Sequence, residues 1–420
     1  MKNGINLNYM MKRITIFLIT ILFSFPAFSQ REDFSYKFYG FVRGDLFYDS
    51  RANVTPVDGN FYLFPLEKSL DFDGKDLNAT PSGSFYAFTT RLGMDIAGPM
   101  VGTARTSAKI ETDFGGFSQS VSMLRIRQAY VALDWTHSQV LIGHTWHPLF
   151  GSVMPDILSL STGAPFQPFN RSPQLRYQYK KGITTLTAAT IWQLQYMSAG
   201  PQGKSQEYIK NSGIPELYAG VDFSLSKEFV FGAGIDMISL KPRIVSAWNN
   251  ETYKVNERIT AFSYEAHLKY TGRDFTVSAK SLLASLQDHS ALLGGYGVSS
   301  INQTNGEQKY TAFRHSTSWL NITYGKKWKP SLMFGYSKNL GTGDELESLD
   351  KDKIYGLGMD IDQLFTINAS LSYNLPHWRF GMEYNPATAW YGKICPVSGR
   401  IKDAASVTNH RILAVMTYFF

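Results

Sequence analysis

Thr103, Arg105, Ser107, Lys109, Glu111 and Asp113 occupy every second position of one short stretch. Alternate residues of a β-strand share a face, so this stretch reads as one side of a strand bearing two cations and then two carboxylates. The row contains no nucleophile with a base beside it, and its chemistry is electrostatic. Basic side chains along a wet passage with low-dielectric walls raise the local concentration of anions and disfavour cations. Further charges fall within strand-like stretches in the same manner: Arg43 and Asp45, Arg91, Arg125 and Arg127, Arg176, Lys269, Lys280 and Arg379. Arginine is concentrated in the early strands, which predicts an anion bias. Asp45, Asp95 and Glu111 oppose it, and the competing reading is a wall of mutually paired charges with no selectivity.

A second candidate is the stretch 147–172, HPLFGSVMPDILSLSTGAPFQPFNRS. It lies between two strand-like stretches yet carries Leu149, Phe150, Val153, Met154, Ile157, Leu158, Leu160, Phe166 and Phe169. An exposed loop of that composition must pack against something. The expectation is a loop folded into the interior, where Asp156, Asn170 and Arg171 would supply polar groups at a constriction. The alternative is a loop covering the rim or a neighbouring subunit.

Other chemistry is weakly signalled. Asp71, Asp73 and Asp76 alternate around Gly74 in the manner of calcium loops, but the bidentate Glu that completes an EF-hand is missing. His144 and His147 stand three apart and cannot chelate from one strand face. The GKS at 203–205 lacks Walker spacing, and Cys395 has no His or Asn arrangement around it. Serines near His267 and His289 belong to no hydrolase motif. We assign no catalytic residue, no metal and no cofactor, and read the chain as a non-enzyme.

The elements that must position these charges are long strands. Residues 34–49 put Phe34, Tyr36, Phe38, Val42, Leu46 and Tyr48 on one face and Lys37, Arg43, Asp45 and Asp49 on the other. This period-two pattern recurs at 85–97, 102–114, 121–135, 139–146, 173–181, 183–195, 215–226, 228–240, 255–271, 273–287, 316–325, 328–339, 361–375, 377–388 and 407–420, sixteen stretches in all. In 121–135 the phase of Arg125 and Arg127 conflicts with that of Val131, Leu133 and Trp135, which predicts a β-bulge near Gln128. Soluble strands usually run about five or six residues, whereas a tilted strand needs about nine to eleven to cross a bilayer. The connections alternate short and long, as in a barrel with tight periplasmic turns and larger external loops. The last strand ends in Met416, Tyr418 and Phe420 on one face. Such an ending aggregates if unpaired but is held if it zips to the first strand of a closed barrel.

Composition agrees. Aromatics reach 15%, with 24 Tyr and 29 Phe, while mean hydropathy is only −0.18, as expected for an apolar exterior around a polar interior. A net charge of +7 is too mild to indicate nucleic acid. One Cys excludes an internal disulfide framework. Lys12 and Arg13, the apolar run 14–23 and Ala27-Phe28-Ser29 predict a cleaved secretory signal over residues 1–29, leaving one barrel domain over residues 30–420. The fold class is therefore all-β: a transmembrane up-and-down antiparallel barrel of about sixteen strands, with its third long loop turned inward, in the bacterial outer membrane.

Several local motifs sharpen this. TRLG at 90–93, KIETDF at 109–114, LRIRQAY at 124–130, GHTW at 143–146 and PQLRY at 173–177 resemble the DcaP-type trimeric porins, and the terminal Phe resembles outer-membrane proteins in general. The resemblance covers mainly 85–181; the helical extension that can precede the barrel in that family has no counterpart before the first strand. The resemblance implies a homotrimer passing small dicarboxylate or aromatic-acid anions, in contact with outer-membrane lipid and lipopolysaccharide. The phosphate-selective porins are a rival, since a Lys and Arg row attracts phosphate by the same physics. A plugged barrel that binds a partner through its loops is the reading from another class.

Overall fold

The structure, a computed structural model, describes residues 34–56, 60–117, 120–350 and 352–420; the expected signal sequence lies outside them. The wall is built from β1 (Ser35–Asp49), β2 in two pieces (Ser82–Tyr86 and Arg91–Val101), β3 (Ala104–Phe117), β4 (Ser120–Asp134), β5 (Ser138–Trp146), β6 (Arg171–Lys181), β7 (Thr184–Ile191) and β8 (Glu216–Ser224). It continues through β9 (Phe229–Leu240), β10 (Ile259–Thr271), β11 (Phe275–Ser285), β12 (Arg314–Tyr324), β13 (Trp328–Gly341), β14 (Ile361–Asn374), β15 (Trp378–Ile394) and β16 (Ile401–Phe419). Each strand pairs antiparallel with its sequence neighbours. β1 then pairs with β16 from Phe41↔Phe419 to Asp49↔Arg411, and Gly40 and Phe420 exchange both backbone hydrogen bonds at 3.1 Å. The sheet is closed at sixteen strands, so no edge is left to aggregate.

The two faces separate as the alternation dictates. On β16, Ile412, Met416 and Tyr418 point outward and are exposed, while Arg411, Leu413, Val415 and Thr417 point inward and are buried. Near the short turns, outward aromatics meet in pairs: Trp378 with Tyr418 at 4.8 Å, Trp328 with Tyr373 at 4.7 Å and Phe223 with Phe231 at 5.0 Å. Amphipathic rings at that level form the interfacial girdle of membrane barrels. No described helix is long and apolar enough to cross a membrane; the crossing is by strands.

Three local features depart from simple alternation. β2 breaks at 87–90, and its two pieces pair with opposite halves of β1; the break lets Thr89 Oγ1 donate to the buried Asp45 carboxylate at 2.6 Å. The register between β3 and β4 jumps from Glu111↔Gln128 to Thr112↔Ile126. Arg127 is thus the extra residue of a bulge at the expected place, and both arginines turn toward β3. Finally, two connections expected to be long are not. β3 and β4 are separated by two residues, and β15 and β16 run on to Ile394 and Ile401. The other long connections carry their own structure, including α1 (Glu207–Ser212) and a small sheet of Gly294–Ile301, Gln308–Ala312 and Ile354–Leu357.

Candidate solute path through the barrel

The charges of the early strands condense into one cluster on the inner wall. Arg127 reaches Glu111 at 3.0 Å and Asp113 at 2.6 Å, Arg125 reaches Asp113 at 2.9 Å, and Arg91 lies 3.6 Å from Glu111. The bulge makes this possible, because it brings both β4 arginines onto the side of the β3 carboxylates. Three guanidinium groups share two carboxylates, so the cluster keeps a surplus positive charge. Arg43 pairs with Asp45 at 2.6 Å and Lys109 with Asp95 at 2.6 Å, which cancels those cations.

Arg171 and Arg176 differ: neither forms an ion pair among the described residues. Arg171 is fully buried, donates to Tyr196 Oη at 2.8 Å, and lies 4.7 Å from the Trp146 ring and 5.3 Å from that of Phe169. A guanidinium over aromatic faces gains cation–π attraction without losing its charge. Arg176 donates to Gln174 and to the Trp146 carbonyl. Arg379 donates to Asn374 at 2.9 Å. Arg105 is exposed beside the turn after β2, and Lys269 is half-buried on the polar face of β10.

The segment 147–170 bonds to strands far from the two it connects. Lys280 on β11 donates to the carbonyls of Leu149 at 2.6 Å and Phe150 at 2.9 Å, so this lysine is buried under the segment. Trp319 Nε1 on β12 donates to Gln167 at 2.9 Å. Asp156 is exposed, accepts an ion pair from Lys329 on β13, and donates its N–H to Asn321 at 2.9 Å. On β15 the buried Glu383 accepts the N–H groups of Leu158 at 2.6 Å and Ser159 at 3.2 Å. The strands omit side chains where the segment lies: a Cβ on Gly335 would come within 2.6 Å of Phe166, and one on Gly381 within 2.5 Å of Leu158. Asn170 is buried, bonding to the His289 carbonyl and Ser172.

The first long connection holds residues that sequence reasoning missed. Phe61, Tyr62, Leu63 and Phe64 are all buried; Phe61 meets Phe169 edge-on at 4.7 Å, and the Tyr391 hydroxyl donates to the Pro65 carbonyl at 2.7 Å. The signal was the uninterrupted FYLFP at 61–65, the same kind of apolar run that drew notice in 147–172. Phe61, Leu63 and Phe64 join Phe150, Phe166, Phe169, Trp319 and Tyr391 in one apolar cluster. The calcium-like turn in this connection is otherwise engaged. Asp71 accepts the N–H groups of Asp73 and Lys75. Asp76 accepts those of Ser69 and Asn78 and pairs with Arg51 at 3.1 Å. Burial pushes the Asp76 carboxyl up, but those two amides and Arg51 outweigh it and hold the group below its ordinary value.

Between the charged wall and the apolar segments lies a cavity of about 440 Å³, lined by Arg125, Arg127 and Lys204, which outnumber the one acid there, Asp288, and by Phe61, Phe169 and Tyr196 on its apolar side. Such a space suits an anion with an apolar body.

A closed antiparallel barrel of sixteen strands, apolar outside, charged inside and girdled by aromatics, is an outer-membrane β-barrel of porin architecture. No protein-family model matches the chain, and no curated protein does. Solved structures do match. The chain is similar over 94% of its length, and 99% of the other's, to the outer membrane channel DcaP of Acinetobacter baumannii, at 19% identity and a TM-score of 0.65. It is similar over 93% of its length to OmpT of Vibrio cholerae in its trimer form, covering 100% of that chain at 12% identity and a TM-score of 0.53. OmpF of Salmonella typhi, in complex with daunomycin, matches over 92% of this chain and 97% of its own at 10% identity and a TM-score of 0.50. The DcaP-like reading drawn from short motifs is borne out at the level of the fold.

Proposed function

We propose that the protein is a passive outer-membrane diffusion channel that prefers small organic anions, dicarboxylates among them, and that it works as a homotrimer with its belt in lipid and lipopolysaccharide. The segments 50–81 and 147–170 narrow the lumen, and solutes pass between them and the arginine wall. The observation that carries the anion preference is the surplus of arginine: three guanidinium groups on two carboxylates, with Arg171 and Arg176 unpaired nearby. The apolar side of the cavity favours organic anions over phosphate, which has no apolar surface to bury. The trimer form of OmpT supports the assembly. Nothing turns over; filtering is electrostatic and steric.

The test is single-channel conductance of refolded protein in a planar bilayer under a potassium chloride gradient. Steps in threes with a reversal potential toward chloride are expected. Cation preference would overturn the reading of the arginines. Absence of conductance from correctly folded barrels would overturn the channel in favour of a plugged, partner-binding barrel.

A further inference from the structure

His147, Glu216 and His289 come from three separate places in the chain. His147 follows β5, Glu216 opens β8, and His289 follows β11. All three are buried, at 0%, 0% and 2% exposure. The Nε2 atoms of His289 and His147 lie 3.0 Å and 3.2 Å from the same oxygen, Oε1 of Glu216, and one ligand atom from each residue falls within 4.8 Å of the others. Ligand atoms about 2.0–2.1 Å from a tetrahedrally held ion stand roughly 3.3 Å apart, so two of these separations already fit.

A second observation is independent of the spacing. His147 Nε2 makes no hydrogen bond despite its closeness to Glu216, and Oδ1 of the buried Asp236, 3.9 Å from it, has no partner either. No lysine or arginine pairs with Glu216 or Asp236 among the described residues. Asp236 Oδ2 accepts the Gln287 amide at 2.7 Å, but two buried carboxylates with imidazoles and one neutral amide for company lack a compensating positive charge. Imidazole nitrogen with carboxylate oxygen is the donor set of zinc and its neighbours.

We propose that His147, Glu216 and His289 bind one divalent transition-metal ion of the zinc class, with Asp236 as the adjacent carboxylate. His289 also lines the cavity, with Asp288 next to it, so the site borders that cavity. His147 Nδ1 accepts the Leu149 N–H at 3.1 Å, which places the imidazole proton on Nε2. To bind the ion through Nε2 the neutral ring carries its proton on Nδ1 instead, and the Leu149 N–H turns away from the ring as the ion is seated. The bound ion ties the segment 147–170 to the connection after β11 and to β8.

Zinc chloride is added to the folded, detergent-solubilised protein, and bound metal is counted after equilibrium dialysis. Cobalt(II) serves as a spectroscopic probe of coordination. One ion per chain is expected, with cobalt absorption of tetrahedral intensity. Affinity should fall at least about tenfold in Glu216→Gln and in His289→Ala, and should be unchanged in His410→Ala, whose exposed ring faces Tyr384 on the outer wall. Folding is verified by heat-modifiable migration. If His289→Ala does not fold, His147→Asn, which keeps a polar group there, carries the same expectation. Failure to take up a stoichiometric ion, or equal affinity in the variants and the parent, would overturn the site and show a carboxylate merely held between two imidazoles. Because binding is read without a bilayer, this outcome is separate from the conductance result.

Discussion

Replacing Glu383 by Leu is the sharpest perturbation of the proposed constriction. The carboxylate accepts two backbone N–H groups from the segment, at 2.6 Å and 3.2 Å, and is itself 2% exposed. A hydrogen bond to a charged group contributes about 1.5–3 kcal/mol, and an unpaired buried N–H costs about 1–3 kcal/mol. Because the two terms overlap, a loss of about 3 kcal/mol for the seated arrangement is a fair working figure. At about 1.4 kcal/mol per factor of ten, the unseated population rises roughly a hundredfold. In single-channel recordings, Glu383→Leu should show larger conductance or frequent excursions to a larger substate. Hydrogen exchange at Leu158 and Ser159 should accelerate by a similar factor. Glu383→Gln keeps an acceptor oxygen and should fall between parent and Leu. Fast exchange at those two amides with unchanged conductance would refute the idea that the segment limits flow. Slow exchange with unchanged conductance would refute the anchoring argument itself.

Arg127→Ala should shift the reversal potential furthest toward cations, since it strips two carboxylates of a shared partner. Arg171→Ala and Arg176→Ala remove charge without orphaning an acid, so each should weaken anion preference by a smaller step, read in the same recordings. Phe61→Ala should enlarge conductance and loosen the first long connection, its lost packing being about 3–5 kcal/mol, as measured by proteolysis of that connection in folded protein. The Asp76 carboxyl is held below its ordinary value of 3.8. Its contribution is therefore complete above that pH and is lost as pH falls through the lower folded value. Hydrogen exchange at Ser69 and Asn78 should accelerate only in that acid window, and Asp76→Asn should remove the pH dependence.

All sixteen strands were legible because a membrane strand is a local, periodic object. Lipid on one side and water on the other force alternation along each segment, and the length needed to cross exceeds what a soluble strand uses. The bulge was legible for the same reason, since Arg125 and Arg127 could not share a phase with Val131 and Leu133 in regular pleating. The inward charges could be named one by one, but not their partners. Whether Arg43 or Arg171 contributes net field depends on what its head group meets: Asp45, two residues along the same strand, turns onto Arg43, while the folded chain gathers the rings of Trp146, Phe169 and Tyr196 around Arg171.

The sequence by itself determined the barrel: alternation, span and closure follow from the contrast between hydrocarbon and water at each residue, and that contrast is read locally. Which remote residues meet was decided only in the tertiary structure. The burial of Phe61 to Phe64 against Phe169, the pinning of residues 147–170 by Lys280, Trp319 and Glu383, and the meeting of His147, Glu216 and His289 join residues remote in the chain. Such contacts form when closure brings opposite walls within reach, and no periodicity along one strand encodes them.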